Sequence, residues 1–328
     1  MSPPGPAPRP APALEGLGCL GPLLADPAVS DVMVNGPGPV WVERAGVLEC
    51  VPVVLDTATI EHLIERIVAP LGLRVDRASP LVDARLPDGS RVHAALSPLA
   101  VDGPCITIRR FATETVALDR FCARPVAELL ETAVHDGRNL LVSGATGAGK
   151  TTLLNALAAA IPAGERIITV EDTAELRLRQ PHVVRLEARP PNAEGAGAVS
   201  IRTLVRNALR MRPDRMIVGE VRGGEAFDML QSMNTGHDGS LSTCHANSAT
   251  DGLRRLETMA LMAGVAVPLD AVRDQIVSAL DLVVQVARRP GGRRVVVEVA
   301  EVTAEPGSGR PATRALARGG AVLASPLR

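Results

Sequence analysis

The stretch Gly144-Ala145-Thr146-Gly147-Ala148-Gly149-Lys150-Thr151 meets every fixed position of the pattern G-x-x-x-x-G-K-[ST]. An apolar run, Leu140-Leu141-Val142, precedes it and reads as a buried strand. TLLNALAAA, residues 152–160, follows and reads as a helix. A strand that enters a glycine-rich loop and leaves as a helix belongs to an α/β fold with a parallel sheet. In such a loop successive N–H groups turn inward around a phosphate, and the helix N-terminus adds partial positive charge. Lys150 then reaches the terminal phosphates, Thr151 can hold Mg2+, and Thr152 continues the first helical turn. The competing reading is a glycine-rich turn that binds nothing, and it leaves the flanking strand and helix unexplained.

Composition sharpens this reading. The chain holds 35 Lys plus Arg, yet Lys150 is its one lysine. Guanidinium is planar and forked, whereas ammonium is a compact charge on a thin stem that enters a phosphate cradle. The retained lysine therefore stands where arginine would substitute poorly, and the chain is expected to bind a nucleoside triphosphate. A length of 328 residues suggests two domains. A formal net charge of −1 and 1% aromatics argue against a general nucleic-acid binder. The five cysteines form no C-x-x-C pair, so neither a disulfide framework nor a zinc site is indicated. No apolar run approaches the ~20 residues of a membrane span and no secretory signal is visible. The expected location is the cytoplasm, where the chain could still dock on a membrane protein.

Residues 1–15 are Pro/Ala-rich and read as a disordered tail, and 16–112 as a small α/β domain. Within it, 32–35 and 40–44 read as strands around Gly36-Pro37-Gly38-Pro39. Ile60, Leu63, Ile64, Ile67 and Val68 mark an amphipathic helix capped by Asp56 or Thr57. A hairpin over 82–96 and a strand over 105–111 ending in Arg109-Arg110 follow. Trp41 is expected to pack, and His62 to be exposed. Arg109 and Arg110 could reach a phosphate or form a solvated pair.

Residues 113–124 read as a linker, 125–304 as the nucleotide domain and 305–328 as a peripheral tail. Two apolar strands end in carboxylates: Ile167-Ile168-Thr169-Val170 in Glu171-Asp172, and Met216-Ile217-Val218-Gly219 in Glu220. Strand ends beside the phosphate loop are where open parallel sheets do chemistry. Glu171 and Asp172 could orient Mg2+ or water, and Glu220 is the candidate catalytic carboxylate. Arg202, Arg206 and Arg210, spaced by four on a helix, read as a solvated or inter-subunit stripe. His237 and His245 flank a short strand and could both face the cleft, where a histidine can sense a γ-phosphate. Residues 190–198 read as a flexible loop.

Four ordered blocks carry a family resemblance: GATGAGKTT at 144–152, ITVEDTAEL at 168–176, RMRPDRMIVGEVRGGEA at 210–226 and TGHDGSLSTCHANS at 235–248. Together they resemble the secretion ATPase superfamily of type II and type IV secretion and type IV pilus machines. The similarity is greatest to the tight-adherence (Flp-type) pilus assembly ATPases. The resemblance implies a RecA-like P-loop NTPase domain with a smaller N-terminal PAS-like α/β domain. It implies ATP and Mg2+ as ligands, a homo-hexameric ring, and an inner-membrane platform protein as partner. It gives Gly144 to Thr152 the phosphate-binding role, Glu171 and Asp172 the acidic box, Glu220 the catalytic glutamate and His245 the second histidine of the histidine box. It also implies arginines donated by the N-terminal domain, with Arg91 and Arg109 loosely matched. Two other readings stay open: a DNA-transfer motor of conjugation type, and a nucleotide-binding scaffold that does not hydrolyse.

Overall fold

The computed structural model describes residues 17–110, 116–189 and 196–327, and the chain divides into two units, Met1–Thr113 and Glu114–Arg328. The expected N-terminal tail lies outside the described residues, as do parts of the linker and of the 190–198 loop.

In the first unit, β1 (Val29–Asn35), β2 (Gly38–Arg44), β3 (Val47–Leu55), β4 (Leu81–Arg85), β5 (Arg91–Ala95) and β6 (Cys105–Arg109) form an antiparallel sheet. Its order is β3-β2-β1-β6-β5-β4. Helices α1 (Gly21–Ala25) and α2 (Thr57–Val68) cover one face. The α2 cap is Asp56, whose carboxylate accepts the Thr59 N–H at 2.8 Å. The five apolar α2 positions expected from their spacing are all buried, against Val32, Val34, Val40, Ile106 and Ile108. Strand alternation turns Trp41 to the opposite face, where it stays 38% exposed beside Met33 and Cys50. The expected packing role for Trp41 is thus corrected: the core of this unit is aliphatic.

The second unit runs α3 (Arg124–His135), β7 (Leu140–Gly144), α4 (Lys150–Ala158), β8 (Ile167–Glu171), β9 (Val183–Glu187), α5 (Ile201–Ala208), β10 (Arg215–Val218) and α6 (Glu225–Met233). It continues with β11 (Leu241–His245), α7 (Ala249–Leu261), α8 (Leu269–Ala279), β12 (Leu282–Arg288), β13 (Arg294–Ala304), β14 (Pro311–Arg318) and β15 (Ala321–Val322). The sheet order is β15-β14-β13-β12-β7-β11-β10-β8-β9, parallel from β12 to β9. Every residue of β7, β8 and β10 is buried, the signature of a sheet covered on both faces. Alternation sends Leu140 and Val142 toward Leu130, Leu153 and Leu157 of α3 and α4. It sends Leu141, Val170 and Val218 toward Val205, Leu230, Leu253 and Ile276 of the other helices.

One expectation is corrected here and a second holds in part. Residues after 304 are not peripheral: β14 pairs along β13, and Leu316 and Ala317 are buried. The arginine stripe is split: Arg206 and Arg210 are exposed, as a solvated face requires, while Arg202 is half-buried. Arg202 and Arg206 each donate to the buried carboxylate of Asp228 at 2.6 Å, and Arg202 also donates to the Ala263 carbonyl.

Candidate active site

The phosphate loop leaves β7 at Gly144, where an added Cβ would lie 2.6 Å from the Val286 carbonyl oxygen. Gly147 (φ 71°) and Gly149 (φ 96°) take left-handed conformations that favour glycine, and Gly149 opens α4. Apart from its chain neighbours, no atom lies within 4 Å of where a Cβ on Gly147 would sit. Ala145 and Ala148 close its turn through the Ala148 N–H to the Ala145 carbonyl, 3.2 Å.

Lys150 folds back over this loop. Its Nζ donates to the Ala145 carbonyl at 3.2 Å and lies 3.2 Å from His245 Nδ1. Burial holds its pKa below the ordinary 10.5, and the nearby Glu220 opposes that shift. His245 closes β11 in register with Gly144, so the sheet itself sets it at the loop mouth. Thr146 Oγ1 stands 3.5 Å from the same Nδ1. On its other edge, His245 Nε2 approaches Glu220 Oε1 to 2.5 Å. Burial, then the Lys150 charge, lower the His245 pKa from 6.5, and the neighbouring Glu220 carboxylate opposes that shift.

Glu220 follows β10. Its Oε1 is buried without a hydrogen-bond partner although the imidazole stands close, and its Oε2 accepts from Arg222 at 2.6 Å. Arg222 also lies 3.5 Å from Asp172, which ties the two acidic strand ends together. Sequence reasoning missed this clamp, although Arg222 stands only two residues after Glu220.

Glu171 is placed differently from an open metal ligand. It is 2% exposed, and its Oε2 accepts the N–H groups of Glu175 at 2.7 Å and Leu176 at 2.9 Å. Its Oε1 is buried without a partner, and its Cγ would lie 2.8 Å from a Cβ on Gly219. Desolvation raises its pKa from 4.5 to about 7, against the two amide bonds that lower it. Between those values the unfolded chain releases a proton that the folded chain keeps, so stability falls as pH rises through this window. The loss is on the order of 3 kcal/mol. Denaturation midpoints at pH 5 and pH 8 are expected to differ more in the wild type than in Glu171→Gln. Equal differences would remove Glu171 as the source.

The other expected residues are dispersed. His237 does not face the loop: it precedes β11, at the opposite end from His245, with Nδ1 3.3 Å from the Ser232 carbonyl. Arg109 belongs to the first unit, where Nε donates to Asp31 at 3.0 Å while the side chain stays 64% exposed. Arg91 stands opposite it in the register of β5 and β6. Thr151 is in the first turn of α4, and Thr152 Oγ1 accepts from Arg294 at 3.1 Å. Arg294 was not foreseen.

The residues fit a nucleotide: glycines at φ 71° and 96° in the loop, a helix that starts from its last glycine, and a buried ammonium at its mouth. Among the described residues no three His, Cys, Asp or Glu side chains cluster to hold a metal. A P-loop binds Mg2+ through one hydroxyl, water and phosphate oxygens, and Thr151 is the hydroxyl that would serve here.

A nine-stranded α/β sheet with this loop at the end of a central strand defines a RecA-like P-loop fold. The family model described as "Type II/IV secretion system protein" matches residues 13–321, and the chain belongs to that family. The type IV secretion system protein PtlH of Bordetella pertussis is 37% identical over 324 residues, 86% of this chain and 93% of the relative. The conjugal transfer protein TrbB of Rhizobium radiobacter is 34% identical over 280 residues, 83% of each chain. The X-ray structure of the Legionella pneumophila ATPase DotB aligns with a TM-score of 0.62 at 22% identity. That alignment covers 84% of this chain and 77% of DotB. Among the described residues no helix is long and apolar enough to cross a membrane.

Proposed function

We propose that this protein is a hexameric ATPase motor that hydrolyses ATP with Mg2+ and drives pilus assembly or protein secretion across the cell envelope. It would work from the cytoplasmic face of the membrane, against an inner-membrane platform protein. The observation that carries this reading is the line Lys150, His245, Glu220 along the loop mouth, with contacts of 3.2 and 2.5 Å. Lys150 and the loop amides would stabilise charge on the β- and γ-phosphates. Glu220 would polarise the attacking water, and His245 Nε2–H would hydrogen-bond the γ-phosphate oxygen once Glu220 turns to that water. Mg2+, held by Thr151 and the phosphates, would neutralise developing charge. Glu171 would act through the segment it anchors, which carries Asp172. Arg109 remains a candidate phosphate-contacting residue.

The test is Mg2+-dependent ATP hydrolysis by wild type and Lys150→Ala, with the mass of the particle measured with and without nucleotide. Turnover lost in the variant and a nucleotide-stabilised hexamer are expected. A monomer without turnover, even after membranes of a pilus-forming cell are added, would sink the motor reading.

A second reading, DNA transfer, draws on the similarity to TrbB, named as a conjugal transfer protein. Turnover stimulated by DNA would favour it. The net charge of −1 and 1% aromatics weigh against direct DNA contact.

A further inference from the structure

We propose that Arg294 is a nucleotide-binding residue that takes the α-phosphate and ribose end of the nucleotide, across the P-loop from Lys150. The inference rests on the nucleotide-binding reading and adds a second wall to the site. In the sheet β7 lies between β11 and β12. Lys150, His245 and Glu220 gather on the β11 and β10 side. From the other side β12 and β13 form a hairpin whose turn, Pro290–Gly292, uses two glycines at φ 78°.

That hairpin end is strongly basic. Arg288, Arg289, Arg293 and Arg294 fall within seven residues, and no acid stands between 282 and 297. Arg288 and Arg294 are direct cross-strand partners, which sets two positive charges side by side at the hairpin end. Arg294 is the one seen to lie on the loop. Its Cδ sits 2.4 Å from where a Cβ on Gly149 would be, so glycine is what lets the stem cross. Its Nη1 then donates to Thr152 Oγ1 at 3.1 Å, in the first turn of α4. In a P-loop the lysine serves the β- and γ-phosphates, so a guanidinium on the opposite flank, beside the helix N-terminus, faces the α-phosphate end. A planar fork suits phosphate oxygens there.

The test uses the full chain. Binding of Mg-ADP and of a non-hydrolysable ATP analogue is measured by calorimetry for wild type, Arg294→Ala, Arg294→Lys and Lys150→Ala, together with KM and kcat for ATP. Arg294→Ala is expected to raise both Kd values by the same factor, about tenfold, the scale of one charge-assisted hydrogen bond. KM should follow, while kcat moves far less, and Arg294→Lys should recover part of the loss. A merely structural prop for the loop would instead lower kcat as much as it raises KM. Wild-type ADP affinity in Arg294→Ala, or a loss confined to kcat, would overturn the proposal. A wild type that binds no more ADP than Lys150→Ala would overturn the nucleotide reading itself, which is a different outcome.

Discussion

Glu220→Gln is expected to keep ATP binding while turnover falls at least ~10²-fold, the scale of losing a positioned general base. The side chain is 18% exposed, its Oε2 is engaged by Arg222, and its Oε1 meets only the His245 imidazole. An amide of the same volume keeps the packing and loses the capacity to accept a proton. Binding should survive because Lys150 and the loop amides, not Glu220, are the groups proposed to surround the phosphates. Equilibrium binding of ATP beside phosphate-release kinetics measures both halves. Lys150→Ala should show the opposite pattern, with binding itself lost. Turnover within about threefold of wild type in Glu220→Gln would take Glu220 out of the reaction.

What could be read in the chain follows from how local each signal is. The phosphate loop is contiguous, and its neighbours declare strand and helix, so Gly144 to Thr152 fall where expected. Glu171 and Glu220 end apolar runs, which identifies strand ends but not what each carboxylate touches. One proves sealed against Glu175 and Leu176, the other open to His245. Burial of that kind depends on Gly219 and the neighbouring strand, which no spacing rule reports.

Long-range partners were out of reach. Arg294 meets Thr152 across 142 positions, and its turn gave only a cluster of arginines as a hint. The period-four arginines on α5 look the same whether solvated or paired. Their partner, Asp228, lies on α6, a helix whose mixed sequence EAFDMLQSM carries no clean apolar stripe. Strand β3 was passed over because Pro52 interrupts it and a register shift at its pairing with β2 breaks the alternation.

Gly239→Ala is expected to destabilise the second unit by on the order of 4 kcal/mol, through a residue far from the phosphates. Arg215, 4% exposed at the start of β10, pairs with Glu165 and donates to the carbonyls of Val134 at 3.1 Å and His135 at 3.3 Å. Gly239 has φ 75°, and a Cβ there would lie 1.6 Å from Arg215 Nη1. Alanine thus meets two penalties. The left-handed backbone costs ~1–2 kcal/mol. Displacing a buried guanidinium from its carboxylate costs ~3–5 kcal/mol, less whatever the site recovers by relaxing. At ~2–4 °C per kcal/mol for a unit of this size, its melting midpoint should fall by about 10 °C. Gly236→Ala separates the two terms, because Gly236 has φ 91° but nothing within 4 Å of its missing Cβ. That variant should lose only the backbone part. Equal losses in the two would mean that strain alone acts and that the Arg215 pocket yields freely; a larger loss in Gly239→Ala would assign the difference to the buried ion pair that starts β10, the strand that leads to Glu220.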